Sequence, residues 1–372
     1  MTEFPISGHT APGFEPIREA FLNNFENDGE LGAGFAAWIG DELIVDLHGG
    51  WMDRAKTRPW DETTLVPVFS TTKPISAAIV AMVIEAAAPD ITYETPVSAV
   101  WPEFAASGKS GVTIAQMLSH QAGLPGFPEP IDPDLWMDPP ALANALAQMA
   151  PLWPLGEGTG YHPLSWGYLA GELVARIAGK SLGTLLRERV AVPNDIDFWI
   201  GLPDSEHGRV AQLKRPTAMA ELGPLNEFNR TAFLTKWAAP NRGGADWKRI
   251  EIPSANGHGT AAATARLYGL YAGTLDLGLS RETHTALTRS RSVGQDKVLP
   301  YEIDFAAGVM RNTQQVYGPN RASYGHSGWG GSLAFGDPDR GLTAAYVMNR
   351  QSNILQGDPR ALSLVSALYG CL

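Results

Sequence analysis

The chain has 372 residues, 44% apolar and 18% charged, so it has ample surface to bury against the entropy of folding and is not a disordered segment. Its 40 glycines and 28 prolines point to many turns and exclude a simple helical bundle. A formal charge of −11 with no lysine or arginine run argues against a nucleic-acid partner.

The single cysteine, Cys371, can form no internal disulfide and suits a reducing compartment. Residues 1–8 lack a basic region followed by an apolar core. The longest largely apolar stretch, 75–84, falls short of the roughly 20 residues of a membrane span. The expectation is a cytoplasmic protein with no membrane partner.

Residues 35–39 and 43–47 read as two strands joined at Gly40-Asp41-Glu42, a hairpin. An extended segment, 65–69, leads into a helix over 71–87, with Ile75, Ala78, Ile79, Met82 and Val83 as an apolar stripe. From about 93 to 256 the chain reads as helices broken by loops rich in proline and tryptophan. The helices 141–149 and 166–178 are the clearest, the second stopped by Gly179. The stretch 221–249 has weak periodicity and reads as a long, partly ordered loop region.

A helix over 261–275 follows. Two closing strands, 331–335 and 342–348, flank Asp337-Pro338-Asp339-Arg340-Gly341, a turn by its chemistry, and 359–368 forms a last helix. Strands at both ends and helices between predict an α+β fold: one antiparallel sheet built from 1–92 and 257–372 and flanked by helices, with a mainly helical domain, 93–256, inserted.

Several catalytic signatures fail. Gly179-Lys180-Ser181 has Val174 where a phosphate-binding loop needs its first glycine. Gly325-His326-Ser327-Gly328-Trp329 has tryptophan where a nucleophile elbow needs its last one. The eight histidines contain no His-x-x-x-His pair, so neither a metal nor another cofactor is expected.

What remains is Ser70-Thr71-Thr72-Lys73 at a helix start, where serine and lysine three apart share a face and the amine can reach the hydroxyl. The first-turn amides favour negative charge at the same point. Taken alone, Ser-x-x-Lys is a weak pattern that reads more readily as a helix cap beside a solvated lysine.

In company it resembles the first motif of the serine β-lactamase and penicillin-binding-protein superfamily. The segment 116–125, Gln-Met-Leu-Ser-His-Gln-Ala-Gly-Leu-Pro, is similar to a segment of the class C-like branch. Gly160-Tyr161-His162-Pro163 stands where that branch has Tyr-x-Asn, and the run from Tyr324 to Ser332 is similar to its Lys/His-x-Gly strand. The four segments span residues 70–350 in order. The nearest branch is the family VIII carboxylesterases.

The resemblance implies a β-lactamase/transpeptidase-like fold and a carboxylesterase that cleaves short-chain, small-molecule esters through an acyl-enzyme. Ser70 would be the nucleophile, Lys73 and Tyr161 the base system, with a lysine ammonium favouring the Tyr161 phenolate. The backbone N–H groups of Ser70 and Trp329 would hold the oxyanion, a second register placing that donor at Ser332, and His326 and Gly328 would complete the substrate-binding strand.

Pro163 replaces the asparagine that binds an antibiotic's amide, and His326 puts a group titrating near neutrality where lysine would pair with a carboxylate. Both changes weaken β-lactam recognition. The alternatives are an amidase or D-aminopeptidase, a β-lactam hydrolase, or a non-catalytic penicillin-recognition protein. Trp136, Trp153, Trp166 and Trp329 are candidates for the pocket rim, with the domain core as the competing reading for at least half of them. His120 is expected to bridge the two domains and His162 to be structural. No motif sets an oligomeric state.

Overall fold

Alanine-rich strands from opposite ends of the chain meet at the centre of the sheet. The computed structural model describes residues 4–239 and 244–372. Strands β1 (Ile6–Thr10), β2 (Gly32–Ile39), β3 (Glu42–Gly50), β4 (Ser292–Gln295), β5 (Glu302–Phe305), β6 (Met310–Arg311), β7 (Tyr324–Ser327), β8 (Leu333–Asp337) and β9 (Leu342–Met348) form one sheet in the order β1-β3-β2-β9-β8-β7-β6-β5-β4. Every pairing is antiparallel, and β9 lies on β2 from Leu342 opposite Ile39 to Met348 opposite Ala33.

Alternation along these strands sorts the core into two layers. Phe35, Ala37, Phe335 and Tyr346 face helices α1 (Glu15–Glu26) and α6 (Pro359–Gly370). Ala36, Ala334, Ala345 and Val347 face the opposite way, into the layer that holds the helix Ala261–Leu267 and α2 (Thr72–Ala87). The predicted hairpin forms, with Gly40 at φ +58° in the first turn position, where glycine carries no Cβ penalty.

Helix α2 differs from its predicted stripe: Thr72 through Ile84 are all buried, because sheet and helical layers enclose it on every side. The run Phe69–Ala87 is long and apolar enough to cross a membrane by length and composition, further than the sequence reading of 75–84 allowed. It is 83% buried inside the fold, so packing accounts for its apolarity.

The predicted helices 141–149 and 166–178 appear as α3 (Pro139–Gln148) and α4 (Ser165–Ala178), the latter ended by Gly179 at φ +66°. The predicted helix 261–275 is shorter. It runs as α5 (Ala261–Leu267), breaks at Tyr268, and closes with one further turn at Gly273, φ +73°. Short strands Val66–Pro67, His258–Gly259 and Phe198–Trp199 pair side by side and bring the start of α2 against residues 253–257.

The stretch 221–249 contains short turns, Glu227–Asn229, Arg230–Leu234 and Ala245–Arg249. Residues 240–243 of it lie outside the described residues. The sequence reading assigned neither β1, an exposed edge strand with no apolar alternation, nor α1. The signal for α1 was present in Pro16 and in Ile17, Phe21 and Phe25 at four-residue spacing.

Candidate active site

The chain leaves the short strand Val66–Pro67, makes one tight turn over Phe69–Thr71 and enters α2, so Ser70 sits at a helix start with Lys73 one turn on. Phe69 takes φ +50°, a left-handed backbone that an aromatic residue adopts only when its surroundings impose it. Its buried ring packs on Trp247 with centroids 6.3 Å apart.

Ser70 Oγ lies 3.2 Å from Lys73 Nζ and accepts a hydrogen bond from the Tyr161 hydroxyl at 2.8 Å. Lys73 Nζ also donates to the carbonyls of Pro163 at 2.8 Å and Ser254 at 3.2 Å. It stands 4.7 Å from the centre of the Tyr161 ring. Three segments distant in sequence thus converge on the Lys73 amine.

Burial decides the protonation states. It holds the Lys73 amine well below its usual 10.5 and pushes the Tyr161 phenol above its usual range. Burial thus disfavours both the ammonium and the phenolate that the resemblance implied. A neutral amine has two N–H groups for the Pro163 and Ser254 carbonyls, leaving its lone pair for the Ser70 proton.

The segment carrying Tyr161 is clamped from behind. Asp296 Oδ1 accepts the backbone N–H groups of Tyr161 at 3.0 Å and of Val298 and Leu299 at 2.8 Å each. Asp296 Oδ2 is buried with no hydrogen-bond partner among the described residues, and burial pushes the carboxyl up to about 6.

The His162 N–H donates to His120 Nδ1 at 3.1 Å, and the His162 ring links the Gly160 carbonyl, 2.6 Å, to the Leu124 N–H, 2.9 Å. The His120 ring packs 4.8 Å from Tyr161 and 4.5 Å from Phe305. Burial keeps both imidazoles neutral, pushing His162 down to about 3. Both residues brace the Tyr161 segment.

Asp296→Ala strands three backbone donors and is expected to lower kcat per active site by about 10- to 100-fold through displaced Tyr161. Asp296→Asn keeps the accepting oxygen and is expected to stay within about threefold of wild type. Steady-state kinetics normalised by active-site titration checks both.

On the facing strand, the His326 side chain is buried and its Nδ1 donates to the Ser327 carbonyl at 2.7 Å. Burial pushes His326 down to about 3, so it is a neutral imidazole and not the group titrating near neutrality that its type suggested.

Gly328 also differs from expectation. Its N–H donates to the Ser332 carbonyl at 2.7 Å and so does not face substrate. Its value is space, since a Cβ there would stand 2.1 Å from Ser332 Oγ and 2.3 Å from the Val68 carbonyl oxygen. Ser332 Oγ in turn donates to that carbonyl at 2.7 Å and lies 3.1 Å from Thr71 Oγ1, locking the strand loop onto the Ser70 turn.

Ser70 and Tyr161 open into a pocket walled by Leu164, Ala232, Phe233, Trp247, Met310 and Trp329. His326 and Ser327 line it as well, and no described lining residue is acidic, lysine or arginine. Of the tryptophans singled out, Trp329 lines the pocket. Trp136, Trp153 and Trp166 are buried outside its wall, Trp136 and Trp166 donating to the Trp237 and Leu118 carbonyls at 2.8 Å each. Sequence reasoning missed Phe233, Trp247, Ser254 and Asp296. Ser254 acts through its carbonyl, which every residue type carries, and Phe233 and Trp247 lie where periodicity is weak.

A sequence model of the Beta-lactamase family matches residues 20–368. The chain is 33% identical over 363 residues to a protein named Esterase/beta-lactamase LipL of Mycobacterium tuberculosis, a match covering 93% of this chain and 83% of that one. Among solved structures, a penicillin-binding protein homolog from Caulobacter crescentus is 50% identical with a TM-score of 0.95, covering 99% of this chain and all of that one, 100%. A family VIII carboxylesterase is 36% identical with a TM-score of 0.91 over 99% of this chain and 100% of its own. With the match running through nearly the whole fold and both sides of the Ser70 pocket, this chain belongs to the beta-lactamase family.

Proposed function

We propose that this protein is a serine carboxylesterase that hydrolyses short-chain esters through an acyl-enzyme on Ser70, with slow β-lactam hydrolysis at most. The observation that carries the reading is the Ser70 oxygen held between an amine at 3.2 Å and a phenol at 2.8 Å at the wall of an apolar pocket. In this reading the Lys73 amine removes the Ser70 proton, and the alkoxide attacks the ester carbonyl. The backbone N–H groups of Ser70 and Trp329 take the oxyanion, each donor contributing roughly 3 kcal/mol.

Tyr161 donates its proton to the departing alkoxide, and the serine proton held on Lys73 restores the phenol, so the alcohol leaves with the tyrosine proton. Water then attacks the acyl group, gives its proton to Lys73, and the same path returns a proton to Ser70. Two features favour neutral esters over anionic β-lactams: a lining without lysine or arginine among the described residues, and a neutral His326. The carboxylesterase name of one relative points the same way, while the other relative is named for both activities.

The test is release of p-nitrophenol from acetate, butyrate and longer esters beside nitrocefin and D-amino-acid amides, with Ser70 labelled by a fluorophosphonate. Ester turnover that disappears in Ser70→Ala is expected. Equal rates for wild type and Ser70→Ala would overturn the reading, faster amide or nitrocefin turnover would replace it with one of its rivals, and no labelling would favour a binding protein.

A further inference from the structure

The Ser70 pocket is not the end of the cavity system. The rings of Phe233 and Trp329 stack with centroids 5.6 Å apart, inclined 29°, and both rings line a second, outer groove as well as the first pocket. Phe69 lines both too. The stacked pair and Phe69 are therefore a shared wall, with Ser70 on one side and the groove on the other.

The groove's surface divides in two. Ala218, Met219, Leu234 and Ala239 give it an apolar floor, and Met219 is 61% exposed, a large apolar side chain left open to solvent. Arg215 and the exposed Lys236 line it as well, and no described residue of the lining is acidic. In a chain of net charge −11, the described lining of this groove carries the exposed Lys236 and Arg215 and no carboxylate.

We infer that the outer groove is a second binding subsite for the ester, taking an arm that passes the Phe233–Trp329 wall, lies on the apolar floor and ends in a carboxylate. Phe233 is the residue that sets how long an arm passes. It belongs to a short turn in a stretch with little regular structure, whereas the Trp329 carbonyl is held by Gln351 Nε2 at 3.3 Å and the next residue, Gly330, packs on the same Gln351 side chain. The substrate class is thus a half-ester of a dicarboxylic acid, or an ester of an ω-hydroxy acid. The inference rests on the esterase reading above.

The experiment compares kcat/KM for p-nitrophenyl monoesters of dicarboxylic acids with their methyl-capped counterparts, and for acetyl esters of ω-hydroxy acids with the corresponding methyl esters, at low and high salt. The first pair tests an acyl arm, the second an alcohol arm. A preference of about fivefold or more for the free carboxylate in one pair is expected, lost in Lys236→Gln and weakened by salt. Phe233→Ala is expected to raise the octanoate-to-acetate ratio by about tenfold through added apolar contact along the groove.

Lys236 is exposed, so Lys236→Gln keeps the test readable if Phe233→Ala fails to fold. No carboxylate preference in either pair, or a preference that survives in Lys236→Gln, overturns the subsite. Failure of wild type to hydrolyse p-nitrophenyl acetate would instead overturn the esterase reading itself.

Discussion

Lys73→Met is expected to lower kcat on p-nitrophenyl butyrate by about 10⁴-fold or more, and Lys73→Arg to do nearly as badly, because a guanidinium cannot give up a proton at any working pH. The argument is local. Lys73 Nζ has two carbonyl partners and Ser70 Oγ around it, and burial alone holds its pKa well below 10.5. An amine in that state accepts the serine proton.

The sign of the pH dependence follows. Activity rises as pH climbs through the depressed Lys73 pKa and falls below it, where the amine is protonated. Because His326 is already neutral, His326→Asn should leave this limb in place, and no separate inflection should appear at roughly pH 6 to 7.5. An inflection in that range that vanishes in His326→Asn would contradict the structure.

Stability carries the same signature. Between the depressed folded-state pKa and 10.5 the unfolded chain binds a proton at Lys73 that the native state does not, so wild-type stability rises with pH across that window. Lys73→Met removes this contribution. Urea unfolding of the two proteins at several pH values should therefore show the wild type gaining relative to Lys73→Met as pH rises toward 10.5.

Ser70 and Lys73 were legible in the sequence because three residues at a helix start fix their proximity within one turn. Tyr161 was legible through its flanking pattern, since its meeting with Ser70 depends on a long-range contact that no local spacing encodes. The protonation states were not legible. They follow from burial supplied by residues 160–164 and 253–257, and a sequence read one segment at a time gives lysine its ordinary charge.

Gly328 was misread for a related reason. A glycine beside a catalytic strand suggests a free amide, yet the decisive fact is the 2.1 Å gap between its missing Cβ and Ser332 Oγ. The broken helix after 261 and the fully buried α2 are likewise consequences of packing: the first turns back at Gly273, and the second has no solvent face for a stripe to leave polar.

Arg360→Met is expected to cost about 3–5 kcal/mol of stability, the range for removing one member of a buried ionic cluster. The guanidinium bonds Glu30 at 3.0 and 3.1 Å, Asp358 at 2.9 and 3.0 Å, and the Arg350 carbonyl at 3.0 Å, while Tyr346 donates to Glu30 from β9. All four side chains are buried, and those carboxylates and Tyr346 keep Arg360 charged. Removing it leaves two carboxylates facing each other in the interior.

The same cluster reaches the active site. A Cβ on Gly331 would lie 2.5 Å from Asp358 Oδ2 and 3.2 Å from an Arg360 nitrogen, so the pair forms the floor under the loop that carries Trp329. Arg360→Met should therefore lower kcat several-fold in the protein that does fold. Glu30→Gln/Arg360→Met removes one stranded charge along with its partner and is expected to recover more than half of the lost stability, a coupling of about 2 kcal/mol in the double-mutant cycle. Urea midpoints for the wild type, both single variants and the double variant measure it, and a single variant within about 1 kcal/mol of wild type would show that the cluster is better solvated than its burial indicates.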